Sequence, residues 1–141
     1  SDSIISNFMK GFQLNDSIRE KIKKTQELVK EITSRGDLFS SDKSSVQKYL
    51  NEQQSRYEYV EFMALISSSG YYELATQDVD ESLKDCSAKP YFTRAIQGEE
   101  YTSEEYISVI TNNYNITVSM PVRQNGTIKG VLMADININE N

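Results

Sequence analysis

The chain contains no histidine among its 141 residues. This absence excludes Ser-His-Asp and Cys-His catalytic sites, metal sites built on imidazole, and a phospho-accepting histidine within the chain. The 21 aspartate and glutamate residues leave carboxylate chemistry open, but most acids of an acidic domain are solvated surface groups. We therefore predict that the chain is not an enzyme and that it has no catalytic residue, no metal site and no cofactor.

Cysteine is almost absent, since Cys86 is the only one. A single cysteine forms neither an internal disulfide bond nor a thiolate zinc cluster. Two roles stay open for it: an inert, small buried residue, or a free thiol at the contact between two copies of the chain.

The sequence also lacks an apolar run of about 20 residues, the length that spans a bilayer. Its longest apolar stretch, residues 60–66, is interrupted by Glu61 and suits a strand. No secretory signal with a basic start and an apolar middle is visible. If the domain is exported, its membrane segments lie outside this sequence, and it contacts the membrane only through them.

Positive charge is scarce in the C-terminal part. Residues 58–141 contain five lysines and arginines against thirteen acids, whereas residues 1–57 contain ten against eight. A protein that binds nucleic acid needs a basic face to displace counterions from the phosphates. We therefore predict no nucleic-acid partner.

The first third of the chain has helical periodicity. Small or apolar residues recur at spacings of four, three, four and three, with charged residues between them; they are Ile18, Ile22, Thr25, Val29 and Ile32. The helix extends toward the N-terminus through Ile4, Ile5, Phe8 and Phe12, and Gly36 is a candidate C-cap. Two roles stay open for the apolar face: packing on the domain's own sheet, or forming the seam of a homodimer.

The next elements are a short helix and two strands. The helix is predicted to begin after Ser40 or Ser41, with Asp42 in its first turn. Residues 60–66 then alternate as a strand buried on both faces, and residues 71–76 return after a turn.

The C-terminal part predicts a second group of elements. Pro90 opens a short helix that ends at Gly98, and residues 106–111 follow as a third strand. Residues 116–122 and 128–136 alternate on either side of Asn125-Gly126, the favoured two-residue turn of a hairpin.

This order of elements predicts an α+β domain with a long N-terminal helix and a five-stranded antiparallel sheet. Two strands, an insertion with a helix and then three strands give a PAS-like topology. We assign residues 1–141 to a single domain, with a helical part at 1–56 and the sheet and loop at 57–138.

Four segments in order resemble Cache sensor domains: Lys89–Ala95, Tyr106–Ser108, Ile116–Val122 and Gly130–Ile136. The resemblance covers about residues 55–138 and implies a PAS-like single Cache domain. Cache domains recur in bacterial chemoreceptors, sensor histidine kinases and diguanylate cyclases, where they lie outside the cytoplasmic membrane between two transmembrane helices.

The resemblance also implies a ligand pocket. In Cache domains that bind amino acids, an Arg-x-Trp-Tyr-type segment, a later Tyr-x-Asp and an aspartate in the last strand line it. By position, Lys89, Tyr91 and Phe92 match the first segment. Lys89 stands in the arginine's place and offers a point charge instead of a bidentate grip on a carboxylate.

In the second segment Tyr106 is retained, whereas Ser108 stands in place of the aspartate. This change removes one of two anionic partners for a ligand ammonium and leaves Asp135 in the last strand. Tyr101 is a further candidate for enclosing the ligand. The pocket is compatible with a zwitterion, a carboxylate or an uncharged solute, or with no ligand.

Each candidate also has a structural alternative. Lys89 is compatible with a solvated surface, Tyr91 and Phe92 with the core, and Tyr106 with burial in a strand. Asp135 lies between apolar neighbours, and it should not be buried there without a partner. A solvent-facing position for Asp135 is the alternative.

The function that these features imply is sensing. We expect an extracytoplasmic ligand-sensing domain of a bacterial transmembrane receptor, most of all a chemoreceptor. It would bind a small polar solute such as an amino acid or a carboxylate, form a homodimer through the N-terminal helix, and pass a conformational signal across the membrane. The alternative is a ligand-free PAS-like module for dimerisation or protein interaction in a sensor histidine kinase or a diguanylate cyclase.

Overall fold

The computed structural model describes residues 2–139, with side chains from Asp16 onward. Helix α1 spans Asp2–Thr33 and helix α2 spans Lys43–Gln54. The backbone confirms the predicted N-terminal extension of α1; the side chains of Ile4, Ile5, Phe8 and Phe12 lie outside the described residues. In the part of the chain that is described, no helix combines the length and the apolar character needed to cross a membrane.

The remaining elements form a six-stranded sheet and an insertion on one of its faces. The strands are β1 (Val60–Ser67), β2 (Tyr72–Ala75), β3 (Tyr101–Thr102), β4 (Tyr106–Ile107), β5 (Tyr114–Gln124) and β6 (Thr127–Asn137). They pair antiparallel in the order β2-β1-β6-β5-β3, and β4 pairs with β5 on the same edge as β3. The insertion contains 3₁₀ turns at Glu81–Leu83 and Ala95–Gln97 and a short helix α3 (Pro90–Thr93).

The sheet has the five positions that were predicted, but its outer position is divided between two short strands. The predicted strand at 106–111 ends at Ile107, because the chain turns at Ser108 and passes through Asn112 at a φ of 60°. The hydroxyl oxygen of Ser108 accepts hydrogen bonds from the backbone N–H groups of Ile110 and Thr111, which fixes this turn. β3 is only two residues long and was not predicted.

The predicted C-terminal hairpin is confirmed. Asn125 and Gly126 have φ values of 54° and 78°, as the two-residue turn requires. β5 and β6 pair along their length, with Thr117 opposite Asp135 and Val118 opposite Ala134.

Two helix boundaries differ from the prediction. Asp42 caps α2 from outside the helix, where its carboxylate accepts the N–H of Ser45, instead of lying in the first turn. α1 ends at Thr33, and Gly36 does not have the positive φ of a C-cap glycine. Gly98, by contrast, ends the short helical segment at a φ of 104° as predicted.

The apolar face of α1 packs on the domain's own sheet. Thr25, Val29 and Ile32 are fully buried there, and Ile18 and Ile22 pack at the margin of the same core. Valines, leucines and isoleucines of β1, β5 and β6 form the other side of this core. Of the two roles predicted for the helix face, the structure shows the intramolecular one over Ile18–Ile32.

The opposite face of the sheet is covered by the insertion, which explains why the central strands are apolar on both sides. Phe62, Val131 and Met133 from the sheet pack there against Cys86 and Phe92. Burial raises the pKa of the Cys86 thiol to about 11. This cysteine therefore has the inert, buried role that was one of its two predicted alternatives.

Side chains alternate between the two faces of β6, and those on the insertion side change from apolar to polar toward the end of the strand. Val131 and Met133 point toward the insertion, and Asp135 follows them at the same two-residue spacing. On β5 the residues that take this face are Thr117 and Ser119, both fully buried. The insertion side of the sheet thus changes from an apolar core to a buried polar strip.

Candidate ligand-binding site

A cavity of about 600 Å³ lies over this polar strip. The insertion and the segment that contains β3 and β4 enclose it against the sheet. Its lining residues are Tyr72, Lys89, Pro90, Tyr91, Tyr101, Thr102, Ser103, Glu104, Glu105, Tyr106, Ser108, Val109, Ile110, Thr117, Met133 and Asp135. A volume of this size falls within the range of small-molecule sites.

The structure brings six of the seven predicted site residues together around this cavity: Lys89, Tyr91, Tyr101, Tyr106, Ser108 and Asp135. Phe92 is the exception. Its side chain is buried in the core beneath the insertion, beside Phe62 and Met133, and it does not line the cavity. The structural alternative considered for Phe92 therefore fits its position better than ligand contact does.

Asp135 is a buried carboxylate at the base of the cavity, with 1% of its surface exposed. The Thr117 hydroxyl donates to its Oδ1 over 2.6 Å, and the Tyr106 hydroxyl donates to the same atom over 3.1 Å. Oδ2 accepts no hydrogen bond from any side chain or backbone group among residues 16–139. The carboxylate is therefore held through one oxygen and has acceptor capacity left at the other.

Burial raises the pKa of Asp135 to about 6, although the hydrogen bonds from Thr117 and Tyr106 partly offset this by stabilising the ionised form. The carboxylate of Glu61 adds a smaller effect that also raises the pKa. The Tyr106 and Thr117 hydroxyl oxygens also lie 2.5 Å apart. When Asp135 is ionised, both hydroxyl protons point to its Oδ1, and no proton is left for a hydrogen bond between the two hydroxyls. Protonation of Asp135 supplies the third proton.

Two further tyrosine hydroxyls line the cavity in a fixed arrangement. The hydroxyls of Tyr72 and Tyr91 lie 2.6 Å apart, and Ser119 donates to the carbonyl oxygen of Tyr91 over 2.7 Å. Burial raises the pKa of both tyrosines, as it does that of Tyr106. All three hydroxyls are therefore neutral at pH 7 and offer donors and acceptors to a ligand.

Besides Asp135 at the base, the charged groups that line the cavity lie on its exposed side. Lys89 is exposed at the residue before α3, and Glu104 and Glu105 are exposed between β3 and β4. Among the described lining residues, Lys89 is the single cation against three carboxylates. Nowhere in residues 16–139 do three acidic or cysteine side chains converge as a metal site would need.

Ser108 lines the cavity, but its oxygen is engaged by the turn that follows β4. Thr117 and Tyr72 are lining residues that the sequence analysis missed. Thr117 had a detectable signal: it is a polar residue on an otherwise apolar strand, and the hairpin turn places it opposite Asp135. Tyr72 had none, because an aromatic residue in a short strand is equally typical of a core.

A second polar cluster joins the turn after β4 to the end of β6. At a bulge in β1, the carboxylate of Glu61 accepts hydrogen bonds from the side-chain amides of Asn113, Asn115 and Asn137 over 2.8–3.0 Å. Asn139 donates to the side-chain oxygen of Asn113. The segment that lines the cavity is thereby tied to the last residues of the final strand.

The cavity wall also contacts the long helix. Gln26 of α1 donates to the hydroxyl of Thr102 in β3 over 3.1 Å, and Lys30 forms an ion pair with Glu100 at 3.9 Å. β3 therefore lies between the cavity and α1.

No protein-family model matches the sequence, and a search of curated proteins gives no significant match. Solved structures do match. The sensor domain of the V. cholerae histidine kinase DctB aligns with a TM-score of 0.76 at 16% identity, over 90% of this chain and 53% of that chain. The ligand-binding domain of the Campylobacter jejuni chemoreceptor Tlp3 in complex with L-norvaline aligns with a TM-score of 0.73 at 17% identity, over 88% and 54%.

A third structure is the ligand-binding domain of the Pseudomonas aeruginosa PAO1 amino acid chemoreceptor PctC in complex with GABA. It aligns with a TM-score of 0.71 at 20% identity, over 90% of this chain and 60% of that chain. The chain therefore shares the fold of these sensor domains. This confirms the α+β fold that the resemblance to Cache domains implied. This chain spans little more than half the length of the sensor domains it matches.

The raised pKa of Asp135 predicts a pH-dependent stability. Its folded-state pKa of about 6 lies above the ordinary value of 3.8. The stabilisation that comes from its protonated form is therefore complete below about pH 4 and is lost as the pH rises through about 6. A shift of this size corresponds to about 3 kcal/mol at most.

We expect Asp135→Asn to raise the free energy of unfolding at pH 7 by up to about 2 kcal/mol and to change it little at pH 4, because the amide stays neutral. Urea unfolding of both proteins at pH 4, 5 and 7 measures this. A variant that is less stable at pH 7, or whose stability keeps the same pH slope, would show that Asp135 is not a strained carboxylate.

Proposed function

We propose that this Cache domain is the extracytoplasmic ligand-sensing domain of a bacterial transmembrane receptor, and that its cavity binds a small polar solute. The observation that supports this most is Asp135: a buried carboxylate with one unengaged oxygen at the base of a cavity of about 600 Å³. A buried charge that its partners compensate only in part costs stability. A ligand cation at the second oxygen would supply the missing partner.

The ligand would contact five of the seven residues that the sequence suggested. Asp135 and the hydroxyl of Tyr106 would hold its polar head, Tyr91 and Tyr101 would flank its body, and Lys89 would lie near the exposed side. Ser108 would contribute through the turn that it holds, since its oxygen already accepts two N–H groups.

The contacts of the cavity wall suggest how binding is passed on. The Glu61 cluster ties the turn after β4 to the end of β6, and Gln26 ties β3 to α1. A ligand that draws the β3–β4 segment toward Asp135 would shift the end of β6 relative to α1. It does so only if it binds the closed arrangement more tightly than the open one.

Among receptor types, we favour a chemoreceptor. Two of the three similar structures described above are chemoreceptor domains, one in complex with L-norvaline and one with GABA, and the third is a histidine kinase sensor domain. In Cache receptors the membrane-spanning segments flank the sensor domain, and here they would lie outside residues 1–141.

A thermal-shift screen of the chain against amino acids, carboxylates, amines and sugars tests the sensing function. A binder at a hundredfold excess over its dissociation constant stabilises the folded state by about 2.7 kcal/mol. We expect at least one hit, which Asp135→Asn abolishes and Lys129→Ala leaves intact. Lys129 is an exposed hairpin residue away from the cavity, so it is the matched control for Lys89→Ala, which we expect to weaken the hit.

Because Asp135→Asn is expected to stabilise the fold, loss of binding in this variant is not a consequence of unfolding. Silence across the whole panel, or a hit that is indifferent to both Asp135→Asn and Lys89→Ala, would favour the ligand-free interaction module instead.

We also propose that the domain forms a homodimer through α1. The helix face over Ile18–Ile32 is buried within the protomer, so the contact would use the outward face of α1 or its turns before Asp16. Sedimentation velocity of the chain at about 10 and 100 µM, with and without a hit from the screen, measures this association. A monomer under all four conditions would contradict the proposal.

A further inference from the structure

The charges that line the cavity are unbalanced. Its base holds the carboxylate of Asp135, and its exposed side holds those of Glu104 and Glu105. Against these three, the described lining residues provide one cation, Lys89. Clefts that concentrate one sign of charge raise the local concentration of ligands of the opposite sign.

The positions of these groups matter as much as their number. Asp135 is buried and its Oδ2 is unengaged, so its attraction for a cation is little screened. Lys89 is exposed, so its attraction for an anion is weakened by water and salt. The described lining includes no arginine, the residue that grips a carboxylate with two parallel hydrogen bonds.

The remaining lining residues suit the body of an organic cation. Tyr72, Tyr91, Tyr101 and Tyr106 present aromatic rings and hydroxyls, and Met133 adds an apolar surface at the base. Aromatic rings attract cations through their faces and also pack against apolar chains. The volume of about 600 Å³ accommodates more than an ammonium ion alone.

We propose that the cavity selects a primary amine with an apolar or aromatic body and no carboxylate, and that its ammonium group binds Oδ2 of Asp135. This inference rests on the proposed sensing function and narrows its ligand class. A carboxylate on the same ligand would face Glu104 and Glu105 with only the solvated Lys89 to bind it. An amino acid is therefore the poorer ligand and its decarboxylated counterpart the better one.

Calorimetric titration with matched triads tests the inference. One triad is 2-phenylethylamine, L-phenylalanine and 3-phenylpropionate; the other is n-butylamine, L-norvaline and pentanoate. Within a triad the body is constant while the charged groups change. At pH 7.5 we expect at least one amine to bind about tenfold more tightly than its amino acid, and we expect no binding of either carboxylate.

Two variants locate the selectivity. Asp135→Asn should weaken amine binding by at least about 30-fold, because it removes the buried partner of the ammonium. Glu104→Gln with Glu105→Gln should reduce the preference for the amine over the amino acid by about two- to fivefold. Glu52→Gln with Glu58→Gln removes two exposed acids that do not line the cavity, and it should leave the preference unchanged.

The outcomes separate this inference from the sensing function on which it rests. An amino acid that binds as tightly as its amine, or a carboxylate that binds at all, would overturn the inference and leave the sensing function standing. A wider screen in which a sugar or another solute without an amine is the only hit would also overturn the inference and leave the sensing function standing. If no solute binds, the sensing function and the amine inference both fail.

Discussion

The register of the β5–β6 hairpin determines where everything else in the domain lies. The Asn125-Gly126 turn sets that register, and with it Thr117 lies opposite Asp135 while Val118 lies opposite Ala134. Because side chains alternate between the faces of a strand, a slip of one residue would place Asp135 against α1 and an apolar residue at the cavity. The core and the site are therefore fixed by the same pairing.

That pairing places a charge where the fold alone would favour an apolar residue. Asp135 is retained in a buried strip, held by hydroxyls that engage only one of its oxygens, and burial raises its pKa to about 6. Residues that weaken the folded state without a compensating contact are typical of functional sites. The surrounding tyrosines line the cavity above this carboxylate. The hydrogen bonds of Glu61 and Gln26 link the wall of that cavity to the end of β6 and to α1.

Much of the fold was predictable because the local sequence preferences of these elements match the way in which they pack. The helix face at Ile18–Ile32 shows a helical period and packs as an amphipathic helix, and the Asn-Gly turn has the φ values that its residues favour. The division of the outer strand was not predictable. It depends on the turn at Ser108–Asn113, whose polar contacts join residues up to 52 positions apart in the chain, such as Asn113 and Glu61.

The resemblance to Cache domains identified most of the residues that line the cavity. It did not show which of those side chains are buried in the core instead. Asp135 stood out as an acid among apolar neighbours, and it does line a cavity. Phe92 was placed by the same resemblance, but its ring lies in the core, since the short helix α3 turns it away from the neighbouring Tyr91. Thr117 became recognisable only when its strand was paired with β6.

The most direct test of the central role of Asp135 is a carbon NMR titration of its carboxyl group, with and without saturating 2-phenylethylamine. Without the amine the pKa should lie near 6. An ammonium bound at Oδ2 stabilises the ionised form, so the pKa should fall by at least about one unit when the amine is bound. An ordinary pKa in the free domain, or a raised one that the amine does not lower, would contradict the role of this carboxylate as the ligand's partner.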